Sequence, residues 1–280
     1  MKSILDDIDE AIQSIAFFKS VPQWQQKAEA RLAKKLQALY AGAERAVLEQ
    51  IKIRGIPSDP MARRNLLSRL SDVESAMGIA IGEEIEGAAK HGRNKAVDDL
   101  RKAGKAVPRV PKLADQLMRN LRNQGFNASQ KTLKRHIGNV MDTLADAYSQ
   151  GLGIDDAAKL ISDQFTNMKD HELVRIARTE INTAQHKVTH ETIKNLGGQY
   201  EMWIAELDDR VRESHEDLHG EIVRVGDTFS NGLQHPGDRS GPLEEFINCR
   251  CRLVPFIMPP DKMAPPGMSR FREEDLIDKI

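Results

Sequence analysis

At Gly197-Gly198 the sequence changes its period, and that change limits the architectures open to the chain. Before the pair, apolar residues recur every three or four positions, the spacing of a helix with one buried face. After it come short apolar runs broken by Gly and Pro, the pattern of strands and turns. Residues 1–198 hold seven aromatics and five prolines, whereas 199–280 hold six and seven in less than half the length. The expected fold class is α+β. A long helical N-terminal region precedes a small mixed α/β C-terminal domain with short strands and long loops.

Within the helical part, residues 23–54 are rich in Ala, Leu, Gln, Lys and Glu, all good helix formers. Ser129 is placed to cap a helix whose face carries Leu133, Ile137, Met141, Leu144 and Tyr148, with Gly151 as its stop. Asp155 is placed to cap a short helix through Phe165. From Lys169 to Leu196 the apolar positions Leu173, Ala177, Ile181, Ala184, Val188 and Leu196, with Ile193 adjoining, predict an amphipathic helix of roughly seven turns. His186 and His190 fall on its polar face and read as solvated. Pro108 and Pro111, with Gly104 nearby, read as a linker. The expected divisions are a helical region at 1–107, a second helical region at 108–198, a small α+β domain at 199–258 and a flexible tail or docking arm at 259–280.

Charge narrows the partners. The whole chain carries a formal net charge of −1, yet residues 90–135 contain thirteen Lys and Arg and three acids. That surplus of ten leaves eleven negative charges for the rest. Such a segment attracts nucleic acid or an acidic protein surface, or else is a solvated helix face with a linker. Its candidate contacts are Arg93, Lys95, Arg101, Lys102 and Lys105, followed by Arg109, Lys112, Arg119 and Arg122. No apolar run reaches the length of a membrane-spanning helix, so no membrane partner is expected. The opening Met1–Asp7 meets acid at once, unlike a signal peptide. Two Cys cannot build a disulfide framework, which favours a reducing compartment.

In the C-terminal part, 199–207, 221–225 and 251–257 read as strands, 208–219 as a short helix ended by Gly220, and 228–242 as loop. His215-Glu216-Asp217-Leu218-His219 matches H-E-x-x-H, in which two His grip zinc and the Glu acts as general base. Its setting is wrong for a metalloprotease, because the preceding residues 208–214 are mostly charged and Gly220 ends the helix at once. A second reading joins His215 and His219 to Cys249 and Cys251 as a structural zinc site. The C-x-C spacing is tight for it, and two buried Cys serving as small hydrophobes are the alternative. No phosphate-binding glycine loop and no nucleophile elbow occurs.

Read in order, these residues resemble a known family. They are Trp203, Asp208, Arg210, Arg212, His215 and Gly220, then a Gly/Pro loop, then Asn248, Cys249, Arg250 and Cys251. The run is similar to the Mu F-like minor head proteins of tailed bacteriophages, also called head morphogenesis proteins. It spans about 170–256 if Ile176–Glu180 is included. The family usually has an acidic or small polar residue where His219 stands, so the resemblance counts against both zinc readings that need His219. It implies a structural, non-enzymatic virion protein, assembled in the bacterial host cytoplasm and acting at or near the portal in head assembly, DNA packaging or ejection. Portal and other head proteins are its implied partners, with double-stranded DNA facing the basic segment. No resident cofactor is implied. Some relatives carry a further toxin or enzyme domain, for which this chain has no room after the Cys pair. The competing readings are a zinc hydrolase built on His215, Glu216 and His219, and a nucleic-acid-processing enzyme using His215 with Arg210 and Arg212.

Overall fold

A computed structural model describes residues 22–279. The start of the expected N-terminal helical region, with Met1–Asp7, lies outside the described residues. Among the described residues six helices come first: α1 (Gln23–Arg54), α2 (Pro60–Leu66), α3 (Arg69–Lys102), α4 (Asp115–Ser149), α5 (Ile154–Asn167) and α6 (Leu173–Asn195). A single π-helical turn, Met168–Glu172, joins α5 to α6. The strands follow Gly197-Gly198, so the change of period marks the real change of architecture and the α+β class is borne out.

The described residues group into two units that are discontinuous in sequence: 27–86 with 115–180, and 22–26 with 87–114 and 181–279. Helices α1, α3 and α6 are divided between them. The expected breaks near 107 and 198 fall in non-helical chain.

The first unit is helical. On α4 the buried stripe runs Leu133, His136, Val140, Leu144 and Ala147. The expected face is therefore offset by about one position, and Tyr148 is 49% exposed. The offset follows from His136, whose ring sits edge-on to Phe165 at 4.9 Å and tilted against Tyr40 at 5.4 Å. Ser129 is not a cap, because α4 has already run from Asp115. Its hydroxyl donates to the Phe126 carbonyl inside the helix. Gly153, not Asp155, occupies the N-cap of α5, and Asp155 and Asp156 stand in its first turn, where acid opposes the helix dipole. Gly78 and Gly125 permit close helix packing: a Cβ at Gly78 would lie 2.4 Å from the Phe126 ring.

The second unit contains a four-stranded antiparallel sheet in the order β3-β1-β2-β5. Its strands are β1 (Tyr200–Ile204), β2 (Ile222–Arg224), β3 (Arg252–Phe256) and β5 (Arg270–Phe271). Trp203 pairs with Leu253, and Met202 with both Ile222 and Val254. A two-stranded piece pairs β4 (Lys262–Met263) with β6 (Ile277–Asp278). Two one-turn helices, α7 (Glu213–Glu216) and α8 (Leu243–Phe246), sit in the loops.

Two expectations are corrected here. The segment 259–280 is not a flexible tail over its described length. Phe271 is buried beside Tyr200, β5 pairs with β2, and Arg272 donates to the carbonyls of Asp217 and His219. The helix expected at 208–219 shrinks to 213–216. Arg212 is extended at φ −79°, ψ 145°, and the turn before it is held by Asp208.

Candidate functional site

His186 and His190 are not solvated. From Ile181 to Ile193, α6 is buried on nearly every side, so its polar face is core as well. There the polar groups act as fasteners. Asn182 Nδ2 donates to the Cys251 carbonyl, Thr183 Oγ1 to the Gly237 carbonyl and Thr189 Oγ1 to the Gly92 carbonyl. The Leu253 N–H donates to His186 Nδ1, and His190 Nδ1 lies 2.8 Å from Glu201 Oε2 on β1. Burial pushes Glu201 up against the opposing pull of His190. Burial also pushes His186 down to about 3 and His235 down to about 4, so both are neutral imidazoles near pH 7.

On this base the motif residues converge. Trp203 lies fully buried on β1 in a cluster with Leu218, Phe229, Leu233, Cys249 and Cys251. Its ring meets Phe229 at 5.2 Å and His215 at 5.4 Å, both edge-on, a favoured aromatic geometry. Asp208 accepts both terminal guanidinium nitrogens of Arg250, a fork-to-carboxylate match, and also the Arg210 backbone N–H. Those contacts, Arg250 first, hold the Asp208 carboxyl well below the usual range. Arg212 donates to the Ile247 carbonyl. Asn248 turns the chain at φ +60°, a conformation Asn tolerates better than most residues. Gly220 sits at φ +80°, and its N–H donates to the Trp203 carbonyl. A side chain there would be strained, which explains a glycine in the motif.

His215, Cys249 and Cys251 form the chemical centre of this arrangement, and all three are at most 2% exposed. Cys251 Sγ lies 3.3 Å and Cys249 Sγ 3.7 Å from His215 Nδ1. On the other side of the ring, Nε2 lies 2.9 Å from Glu245 Oε2. Glu245 also accepts from Ser214 Oγ and Asn231 Nδ2. Burial alone would raise its carboxyl, but the bonds from Asn231 and Ser214, with His215 beside them, hold it below its ordinary value. An ionised Glu245 takes the Nε2 hydrogen, so in the neutral ring Nδ1 presents its lone pair to the sulfurs.

The two thiols respond in opposite directions. Burial pushes Cys249 up, and its hydrogen bond with Cys251 adds to this. That same bond pulls Cys251 down against burial, helped by His215 and the Trp203 indole. Burial lowers His215, but Cys251 and Glu245 outweigh it and the net shift is upward.

The four-residue metal set is thus brought together only in part. His215, Cys249 and Cys251 have ligand atoms within 4.8 Å of one another, whereas His219 is not in the group. With α7 ending at Glu216, no continuous helix carries His215 and His219 on one face, and Glu216 is exposed. The H-E-x-x-H geometry is absent from this site. Sequence reasoning missed Glu245, Ser214 and Asn231. A carboxylate thirty residues from its histidine leaves no spacing signal, although Glu245 does stand beside the loop already singled out.

The basic residues are divided. Arg93 to Lys112 lie in the mixed unit, and Arg119 and Arg122 in the helical one. Several spend their charge internally: Lys95 pairs with Asp99, Arg122 with Glu86, and Lys105 donates to the Gly197 carbonyl. Arg93 reaches Asn94, Arg101 the Val107 carbonyl and Arg119 Gln116. Lys102, Arg109 and Lys112 are exposed. Among the described residues, no helix is long and apolar enough to cross a membrane.

A family model described as Phage Mu protein F like protein matches residues 138–254. The resemblance read from the motif is borne out, and the matched stretch begins earlier than 170. An NAD(+)–arginine ADP-ribosyltransferase of Enterococcus faecalis is 30% identical over 125 residues, 42% of this chain and 26% of that protein. An uncharacterised protein of Haemophilus influenzae is 28% identical over 144 residues, 51% of this chain and 27% of that one. The minor head protein GP7 of Bacillus phage SPP1 is 26% identical over 133 residues, 44% of this chain and 43% of that protein. The chain therefore spans a quarter to under half the length of these relatives. No solved structure matches.

Proposed function

We propose, from the Mu F-like stretch at 138–254, that the chain is a structural minor head protein of a tailed bacteriophage, acting at or near the portal during head assembly, DNA packaging or ejection. The likeness to the SPP1 minor head protein supports this reading. The observation that carries it is what the motif residues do. Asp208, Arg212, His215 and Arg250 spend their polar groups on one another and on the chain: Asp208 with Arg250, Arg212 with the Ile247 carbonyl and His215 with Glu245. They brace a small domain, which suits a scaffold more than a catalyst. The exposed cations Lys102, Arg109 and Lys112 are the residues offered to packaged DNA, and protein docking falls to the helical surfaces.

Mass spectrometry of purified virions tests the placement. The chain is expected in heads at low copy, and deleting its gene is expected to lower the yield of infectious particles. Absence from virions with an unchanged yield rejects the reading. Retention of double-stranded DNA by the full chain across a salt series tests the DNA contact. Binding through a few phosphates weakens steeply with salt and ignores sequence. No retention at low salt removes DNA and leaves protein docking.

A further inference from the structure

We propose that His215 Nδ1, Cys249 Sγ and Cys251 Sγ bind one zinc ion in a buried structural site. Distance comes first. With Zn–S near 2.3 Å and Zn–N near 2.0–2.1 Å, a tetrahedral site puts nitrogen and sulfur ligands ~3.6 Å apart. The separations here are 3.3 and 3.7 Å, so the side chains already stand at ligand spacing.

Donor arithmetic comes second. With Nε2–H given to Glu245, the ring offers a single lone pair, and two thiols face it. One S–H can use that lone pair, and the other has only the first sulfur, a weak acceptor, to donate to. A cation uses all three atoms at once. The set is soft, one imidazole and two thiolates, which selects zinc-like ions over magnesium or calcium. The surroundings match as well. A carboxylate on the far nitrogen of a metal-binding His fixes its tautomer and strengthens it as a ligand, and Glu245 is itself held in place by Ser214 and Asn231. The fully buried Trp203 N–H has no oxygen or nitrogen acceptor and stands beside Cys251, where it would support a thiolate.

Three protein ligands leave the fourth tetrahedral position to a water. The ligands are at most 2% exposed, so substrate has no path to that position and the ion's role is structural. The same burial disfavours Cys251, His215 and Glu245 as a nucleophile, base and orienting group. The ion would join His215 to Cys249, thirty-four positions apart across mostly loop, and staple a domain with few strands. This assignment narrows the four-residue set, because His219 lies outside the cluster. It stands whether or not the chain is a virion protein.

The test is metal analysis of the full chain, purified reduced and without chelator. One zinc per chain is expected. Cobalt(II) replacement should give the near-ultraviolet thiolate-to-cobalt band and the visible bands of a tetrahedral ion. Cys251→Ser and Cys249→Ser should lose the metal. If those variants do not fold, the cobalt spectrum of the unmodified chain decides alone. Glu245→Gln should weaken binding by about 10–100-fold. His219→Ala should keep one zinc, and its loss there overturns the three-ligand assignment. The proposal is overturned if the reduced chain holds no zinc as isolated and cobalt(II) or zinc produces neither the bands nor a rise in Tm. Rapid alkylation of Cys251 in the native chain also overturns a buried site.

Discussion

The two units handle polar side chains in opposite ways. In the helical unit many pair near the surface, as Arg122 does with Glu86 and Arg135 with Glu172. The core beneath is mostly apolar and follows helical periodicity, with His136 and Glu180 among the polar groups it admits. In the mixed unit, polar groups fill the interior: Asn182, Thr183, His186, His190, Glu201 and His235 are all buried. They hold loops that have no strand ladder of their own. The difference teaches that a polar helix face is a solvent face only when no irregular backbone lies against it. Loop backbone needs partners, and a polar face can supply them.

Four measurements test this contrast. The largest effect is expected at Trp203, the bulkiest fully buried side chain of the mixed unit. Trp203→Ala should cost about 3–5 kcal/mol, the range for emptying a large aromatic from a core. Chemical denaturation measures it, and a loss below 1 kcal/mol would show that the polar fasteners carry the domain without the anchor.

Acid should then act through the buried histidines. His186 is held down to about 3, and His235 and His136 to about 4. As pH falls below about 6.5, the unfolded chain takes up these protons first. Their contribution is therefore complete above that pH and is lost progressively toward pH 4. Two of the three lie in the mixed unit. The emission of Trp24 and Trp203, both in that unit, should report the earlier acid transition, and His186→Gln should blunt its pH dependence. A flat stability from pH 7 to 4.5 contradicts the assignment.

The next comparison matches like with like. Asn182→Ala removes a buried bond to the Cys251 carbonyl and should cost about 1–3 kcal/mol. Asn120→Ala removes an exposed bond from Gln116 one helical turn away and should cost only about 0.2–0.5 kcal/mol. Equal costs would erase the distinction between the units. The smallest effect belongs to Glu86→Ala. Its pair with Arg122 is roughly half exposed on both sides, so the loss should be under about 1 kcal/mol and should fade in salt.

What was legible follows the same line. The positions Leu173, Ala177, Ile181, Ala184 and Val188 are buried as the period predicts, with Ile193 beside them, whereas Leu196 lies past the helix end at Asn195 and is only half-buried. The strands 200–204 and 252–256 fall inside the runs expected for them. Periodicity could not show that His186 and His190 are buried too, because it reads one face at a time. Nor could it show the offset on α4, which depends on a histidine packing as an aromatic. The motif order located Asp208, His215, Arg250 and the Cys pair without saying who binds whom. Asp208–Arg250 joins residues 42 positions apart, and His215–Glu245 joins residues 30 apart. The basic segment misled in part, because Glu86 and Glu172, which neutralise Arg122 and Arg135, lie outside the window in which its charge was counted.

The ends of the four-stranded sheet carry a last consequence. One margin is β3, where Pro255 lacks an N–H to donate, and the other is β5, only two residues long. Such margins are poor templates for another strand. Lateral growth of this sheet is therefore disfavoured when its copies crowd together. Association is left to side-chain surfaces, where it can be specific and reversible.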